Sequence, residues 1–174
     1  MGKRGSSSRF SDDELAAWQG LVRANAHLLR TLDADLQRSH QLPLTAYDVL
    51  IQLGLAPGRS LRMSALAEDV HMSHNGLTRV VARLEADGLI TRTRDEEDRR
   101  VVHAALTPEG LSALRAANQA HLARIRELFL DRLSDEQLQQ LRSIWDAIDP
   151  AFVAGRLTPP DGRGRPSAAR GAGA

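Results

Sequence analysis

A mainly α-helical fold with one small β-hairpin is what this sequence predicts, and three observations carry that expectation. Hydrophobic residues make up 42% of the 174 but aromatics only 3%, so a core must come from Leu, Val, Ile and Ala, and Leu and Ala favour helix. Apolar residues recur at three- and four-residue spacing after Ser11, Ser73, Thr107 and Ser134, each of a type that caps a helix start. A single stretch, 89–106, reads as two β arms around a highly charged tip.

Residues 1–10 are small, basic and polar and read as a disordered basic lead. Ser11 opens a first long helix, with Glu14 completing a capping box and Asp12 and Asp13 suiting the positive end of the helix dipole. Leu15, Trp18, Val22, Leu29, Leu32 and Leu36 form its stripe, widened by Leu21 and Leu28. The helix can reach Ser39, roughly 40 Å at 1.5 Å per residue. A stripe of that length cannot be covered inside a small domain and asks for a partner.

Pro43 breaks the chain, Thr45 is the expected cap of a short helix to about Leu53, and Ala56-Pro57-Gly58 ends it. Ser64 is the expected cap of another short helix over 65–70. After a three-residue break Ser73 caps a helix running to Asp87, with Gly88 as its stop. The strand at 89–94, the tip at 95–100 and the return strand at 101–106 follow. Thr107-Pro108-Glu109 starts a helix carrying Leu111, Leu114, Leu122, Ile125, Leu128, Phe129 and Leu133. Ser134 and Gln137 make a second capping box, opening a last helix with Leu138, Leu141, Trp145 and Ile148, ended by Pro150. Residues 154–174, rich in Gly, Pro, Ala and Arg, read as a disordered basic tail.

The composition excludes several classes. The chain has no cysteine, which removes disulfides, thiolate zinc sites, iron–sulfur clusters and cysteine nucleophiles or redox switches. No apolar run approaches the roughly 18 residues of a membrane span, and the N-terminus lacks a signal-peptide apolar region. No Gly-rich phosphate loop, nucleophile motif or metal triad supports an enzyme. His71 and His74 near Asp69 are separated by a turn, so they need not share a face and are no convincing metal pair. The expectation is a cytoplasmic, non-enzymatic protein without cofactor or membrane partner.

The middle of the chain is organised as a helix–turn–helix. Ala67 supplies the small residue where two helices cross, with Leu66, Val70, Met72, Leu77 and Val80 around it. Glycine often occupies the turn; here it is His71. Leu77, Val80, Val81 and Leu84 form the inward stripe of the second helix. His74, Asn75, Thr78, Arg79, Ala82 and Arg83 therefore point outward. In a helix entering the major groove, Arg can pair with guanine and Asn with adenine. The hairpin that follows is placed as a wing, whose arginines the negative minor groove attracts.

Charge complicates this reading. The formal net charge is only +1, and Lys3, Arg4, Arg9, Arg156, Arg163, Arg165 and Arg170 lie in the two terminal segments, leaving the middle net negative. Residues 73–107 hold Arg79, Arg83, Arg92, Arg94, Arg99 and Arg100 against Glu85, Asp87, Asp95, Glu96, Glu97 and Asp98. A wing works on DNA only if the arginines face the duplex and the acids turn away or brace them.

The run 61–67 (LRMSALA), then 73–90 (SHNGLTRVVARLEADGLI), then Asp98-Arg99-Arg100 and Leu106-Thr107-Pro108-Glu109-Gly110, resembles the MarR family of transcriptional regulators. The resemblance spans about residues 11–150. It implies a winged helix–turn–helix over about 44–106, flanked by dimerisation helices over about 11–39 and 107–149. It also implies a homodimer on a pseudo-palindromic double-stranded operator, usually repressing and often released by a small ligand. The family's Asp-x-Arg wing pattern falls on Asp98 and Arg100, which implies that Arg100 enters the minor groove and Asp98 orients it. Asp95, Glu96 and Glu97 are left as solvent-facing.

The expected DNA-binding set is thus Ser73, His74, Asn75, Thr78, Arg79, Arg83, Arg94, Asp98, Arg99 and Arg100. A cleft where the end helices meet the winged domain is the candidate ligand site. Trp18, His27, Arg30, Tyr47 and Asp48 are its candidate lining, and a small aromatic or carboxylate compound its candidate effector. On base rates Trp18 and Tyr47 read more readily as plain core aromatics than as ligand-lining residues. The competing function is a winged-helix protein-interaction or ligand-binding module without specific DNA binding.

Overall fold

The computed structural model describes residues 9–150. The tail expected at 154–174 and most of the lead expected at 1–10 lie outside the described residues.

Helix α1 (Asp12–His40) begins on the Ser11 capping box, with the Ser11 hydroxyl accepting the Glu14 N–H at 3.2 Å and the Glu14 carboxylate accepting the Ser11 N–H at 2.9 Å. Helix α2 (Leu44–Leu55) follows Pro43. Thr45 is not its cap. The helix starts two residues earlier, with Pro43 in the cap position, and the Leu44 N–H donates to Asp33 Oδ1 on α1 at 2.8 Å. A side chain from the preceding helix thus satisfies an open donor of the first turn and ties the two helices together.

A 3₁₀ turn at Pro57–Arg59 leads into strand β1 (Ser60–Arg62), and α3 (Met63–Asp69) begins on Arg62 with no side-chain cap, so Ser64 lies inside the helix. Helix α4 (His74–Ala86) starts on Ser73, whose hydroxyl accepts the Gly76 N–H at 3.2 Å. It stops where Gly88 takes a φ of 73°, with Gly88 and Leu89 returning N–H bonds to Glu85 and Leu84. That is the paired bonding of a Schellman stop, and glycine bears the left-handed conformation without a Cβ penalty.

Strands β2 (Ile90–Arg94) and β3 (Val102–Leu106) form the expected hairpin. The sheet has a third strand that the sequence reading missed. β1 pairs antiparallel with β3, Leu61 opposite Ala104 and Arg62 opposite His103, giving the order β1-β3-β2. β3 is thereby central and β2 an edge. Helix α5 (Pro108–Leu128) is capped by Thr107 and ends at Leu128, short of the expected Leu133. Phe129 leaves helical geometry, Leu130–Arg132 makes a 3₁₀ turn, and Leu133 is extended, which delivers the chain to the Ser134 capping box of α6 (Asp135–Ile148).

The core lies between α2, α4 and α5 and against the sheet. Leu50, Leu53, Leu66, Leu77, Leu84, Ile90 and Leu114 are fully buried. Each such side chain contributes about 1.5–3 kcal/mol of transfer free energy. Gly110 is required where α5 meets the wing base, because a Cβ there would lie 1.9 Å from the Leu89 carbonyl oxygen. Outside this core the end helices keep apolar surface in the open. Leu15, Trp18, Leu21, Val22 and Leu29 on α1, Leu122 on α5, and Ile144 and Ile148 on α6 are exposed, Trp18 at 59% and Ile148 at 60%, and α6 buries no residue.

Candidate nucleic-acid interface

The turn between α3 and α4 is built on an unusual residue. His71 sits at φ 51°, a left-handed conformation that non-glycine residues adopt uncommonly. The His71 N–H reaches the Glu68 carbonyl at 3.1 Å, and the Met72 N–H reaches that of Ala67 at 3.0 Å. These two bonds close α3 in the same way that Gly88 closes α4. The His71 departure from glycine is therefore accommodated, and it leaves Ser73 positioned to cap α4.

With Leu77, Val81 and Leu84 buried, the opposite face of α4 is fixed outward. Ser73, His74, Asn75, Thr78, Arg79, Ala82 and Arg83 are all exposed. The Thr78 hydroxyl donates to the His74 carbonyl at 2.8 Å. Arg83 lies 3.8 Å from Asp87, one turn on, in a solvent-exposed pair. Such a pair is weak and leaves Arg83 available to another anion.

The wing commits some of its charges to internal contacts and leaves others open. Glu85, on the last turns of α4, accepts from Arg92 Nε at 2.8 Å and from a terminal guanidinium nitrogen at 2.5 Å. That bonding holds the Glu85 carboxyl below the usual carboxylate range. Asp95 Oδ1 accepts the N–H groups of Glu97 and Asp98 at 3.0 and 3.1 Å, and Oδ2 lies 3.5 Å from His103 Nε2. The Asp98 and Glu97 N–H groups lower the Asp95 pKa. Asp98 Oδ1 accepts the Arg100 N–H at 2.9 Å. Four of the six acids thus have partners within the domain. Arg79, Arg94, Arg99 and Arg100 have no acid partner among the described residues, and only Glu96 and Glu97 are free acids beside them. Asp95 and Asp98 keep their charge, so the local sum stays neutral, and what distinguishes the surface is that four arginines are left without an acid partner among the described residues.

One sequence expectation changes here. Asp95 is not a solvent-facing residue. It is half-buried and organises the wing tip, because its position at the end of β2 lets one carboxylate take two turn N–H groups. Asp98 meets Arg100 at its backbone N–H, since the carboxylate lies two residues back in the same tight turn. The Glu85–Arg92 pair was not foreseen. Opposite charges seven residues apart across a helix stop gave no periodic signal.

The five candidate ligand residues are not brought together. Trp18, His27 and Arg30 are exposed on α1, Asp48 is exposed on α2, and Tyr47 is buried with its hydroxyl donating to Asn118 on α5. A cavity of about 350 Å³ lies between the C-terminal part of α1 and α5. It is lined by Leu32, Asp35, Leu36, Arg38, Ser39, His40, Ala120, His121 and Arg124. Asp35 accepts from Arg124 Nε at 2.6 Å and pairs with Arg38, and this bonding, Arg124 foremost, keeps its carboxyl ionised below the usual range. His121 is buried against the Tyr47 ring, with Nδ1 unpartnered and its pKa lowered by desolvation. Among the described residues no group of three or more His, Asp or Glu could hold a metal ion, and no helix is long and apolar enough to cross a membrane.

Comparison with known proteins fits this geometry. A sequence model of the MarR family matches residues 40–101. The HTH-type transcriptional repressor MdtR of Bacillus subtilis is 30% identical over 112 residues, covering 63% of this chain and 70% of MdtR. The crystal structure of AbsC, a MarR family transcriptional regulator from Streptomyces coelicolor, superposes with a TM-score of 0.77 at 31% identity, over 85% of this chain and 99% of AbsC. That of Sco3205 from the same organism, a MarR family regulator in complex with DNA, gives a TM-score of 0.77 at 32% identity, over 84% and 92% of the two chains.

Proposed function

The chain belongs to the MarR family of transcriptional regulators, and from that premise we propose that it is a homodimeric repressor that binds a pseudo-palindromic operator near its target promoter. The observation that carries this reading is the charge arrangement. Arg79, Arg94, Arg99 and Arg100 are uncommitted beside the exposed face of α4, while most nearby acids are satisfied internally. His74, Asn75, Thr78 and Arg79 read base edges in the major groove, with Ser73 and Arg83 at the backbone. Arg94, Arg99 and Arg100 serve the minor groove, and Asp98 shapes the turn that presents Arg100.

The dimer is supported by the open apolar residues of α1, α5 and α6. Burying them against a second copy sets two α4 helices about one helical turn, roughly 34 Å, apart. Repression is supported by the similarity to MdtR, itself a repressor. The α1–α5 cavity supports release by a small effector. Two arginines and two histidines around one carboxylate suit an aromatic or carboxylate compound. The alternative, a winged-helix protein-interaction or ligand-binding module without specific DNA binding, rests on the acidic wing tip and the neutral local charge, and an affinity for duplex that hardly falls with salt would favour it.

Selection from a pool of random duplexes tests the reading. The expected result is a two-fold-related sequence with half-sites about 10 base pairs apart, bound with an affinity that falls steeply with salt. Arg79→Ala and Arg100→Ala should each weaken binding about tenfold to a hundredfold. Recovery of no preferred sequence would count against it.

A further inference from the structure

We infer that Glu85 and Arg92 are positioning residues for operator recognition: their ion pair sets the angle of the wing relative to α4, so that wing and helix meet DNA together. The inference rests on the DNA-binding reading above and goes beyond it, because neither residue needs to touch DNA.

Three features of the fold place the burden of wing position on this pair. β2 is an edge strand, hydrogen-bonded to β3 on one side only. The base of the wing is clamped separately, by the Leu89 N–H on the Leu84 carbonyl, the Thr107 N–H on the Leu89 carbonyl at 3.1 Å, and the Thr107 hydroxyl on the Gly88 carbonyl at 2.9 Å. Ile90 is buried. From Thr91 to Arg94 every residue of β2 is exposed, and the Arg92–Glu85 bonds are the side-chain hydrogen bonds that join this outer part of β2 to α4 among the described residues.

The lever is long enough to matter. Residues 90 and 92 lie on the same face of the strand, with Arg94 next on that face. Over the roughly 13 Å from Ile90 to Arg94, a tilt of about 10° moves the tip by about 2 Å, most of a hydrogen-bond length. Arg92 approaches Glu85 with two nitrogens on one oxygen, which restrains direction as well as distance. Asp95 fixes the shape of the tip. Glu85 then fixes where that tip stands, and the free Arg94, Arg99 and Arg100 follow it. The inference also explains an acid at this place: a carboxylate beside a phosphate-binding surface opposes binding unless it is neutralised by an internal cation.

The test uses full-length protein, the operator recovered by selection, and a scrambled duplex of equal length. Affinities are measured by fluorescence anisotropy for wild type, Glu85→Ala, Arg92→Ala and the exchange Glu85→Arg/Arg92→Glu, each with and without Arg100→Ala. Glu85→Ala should lower operator affinity about tenfold yet leave scrambled-duplex affinity unchanged or higher, because a negative charge is lost near phosphate. The Arg100→Ala penalty, about tenfold or more in wild type, should shrink to about threefold or less in Glu85→Ala, and the exchange should restore most of the lost discrimination. Glu85→Gln substitutes if Glu85→Ala does not fold. An undiminished Arg100→Ala penalty, with melting temperature alone reduced, overturns the inference and leaves the DNA-binding reading standing. Equal losses on both duplexes in Arg92→Ala, with a salt slope lower by about one, also overturn it by making Arg92 a plain phosphate contact. If wild type selects no sequence, both the reading and the inference fall.

Discussion

The hydroxyl of Tyr47 donates a 2.7 Å hydrogen bond to Oδ1 of Asn118. The two residues lie on α2, beside the helix–turn–helix, and on α5, among the end helices, so the bond joins these two parts of the fold. Burial pushes the Tyr47 pKa up to about 12, which keeps the phenol a donor at any physiological pH. Tyr47→Phe leaves the ring packing on His121 in place and removes the bond. It should cost about 1–2 kcal/mol in urea unfolding, one buried hydrogen bond with its acceptor left unpaired. A change within about 0.5 kcal/mol, the scatter of neutral surface changes, would show that water replaces the phenol at Asn118.

His121 predicts a pH dependence. Its folded pKa lies below the ordinary 6.5 because burial disfavours the imidazolium. The unfolded chain therefore takes up its proton first as pH falls. Stability is independent of this group above about pH 7 and drops from about pH 6.5 downward to the folded pKa, with a slope of up to about 1.4 kcal/mol per pH unit. Thermal melts of wild type and His121→Leu between pH 5 and 8 check this, the scale being set by the histidine range. The variant should show the shallower acid loss. Parallel curves would mean that His121 titrates normally in the fold. Asp35, Arg38, His40 and Arg124 share the adjoining cavity, so the comparison must be made between variants rather than on wild type alone.

How much of this was legible beforehand follows from where the determining contacts lie. The helix starts at Ser11, Ser73, Thr107 and Ser134 were readable because each cap bonds to a residue three positions on. The start of α2 was not, since its capping carboxylate, Asp33, belongs to another helix. β1 was missed because three residues cannot display a period of two, and its identity as a strand comes from β3, far along the chain. The outward set on α4 followed from its inward leucines and valines. The five proposed ligand residues did not converge, because periodicity assigns faces within one helix but not the packing of α1 against α5. Asp95 was misread for a related reason: charge counting cannot tell a carboxylate that accepts turn N–H groups from one that faces solvent.

Asp95 offers a check on the wing tip. Replacing it with alanine removes a negative charge close to the proposed DNA surface, which by itself raises affinity. It also removes the acceptor of the Glu97 and Asp98 N–H groups and the neighbour of His103. The expected net result is an operator affinity lowered about fivefold, with little change in melting temperature, because ordered groove contacts outweigh one screened surface charge. A rise in affinity would show that the tip needs no internal template.

The central claim is that two copies, joined through their end helices, present two α4–wing pairs to one face of a duplex. Sedimentation velocity of the full-length protein mixed with its selected operator tests this most directly, at increasing ratios of chain to DNA. The account predicts a dimer in free solution and a complex of two chains on one duplex, with Trp18→Glu shifting the free protein toward monomer and weakening the complex. A monomer in free solution that binds the same duplex as one chain, with affinity unaffected by Trp18→Glu, would contradict it.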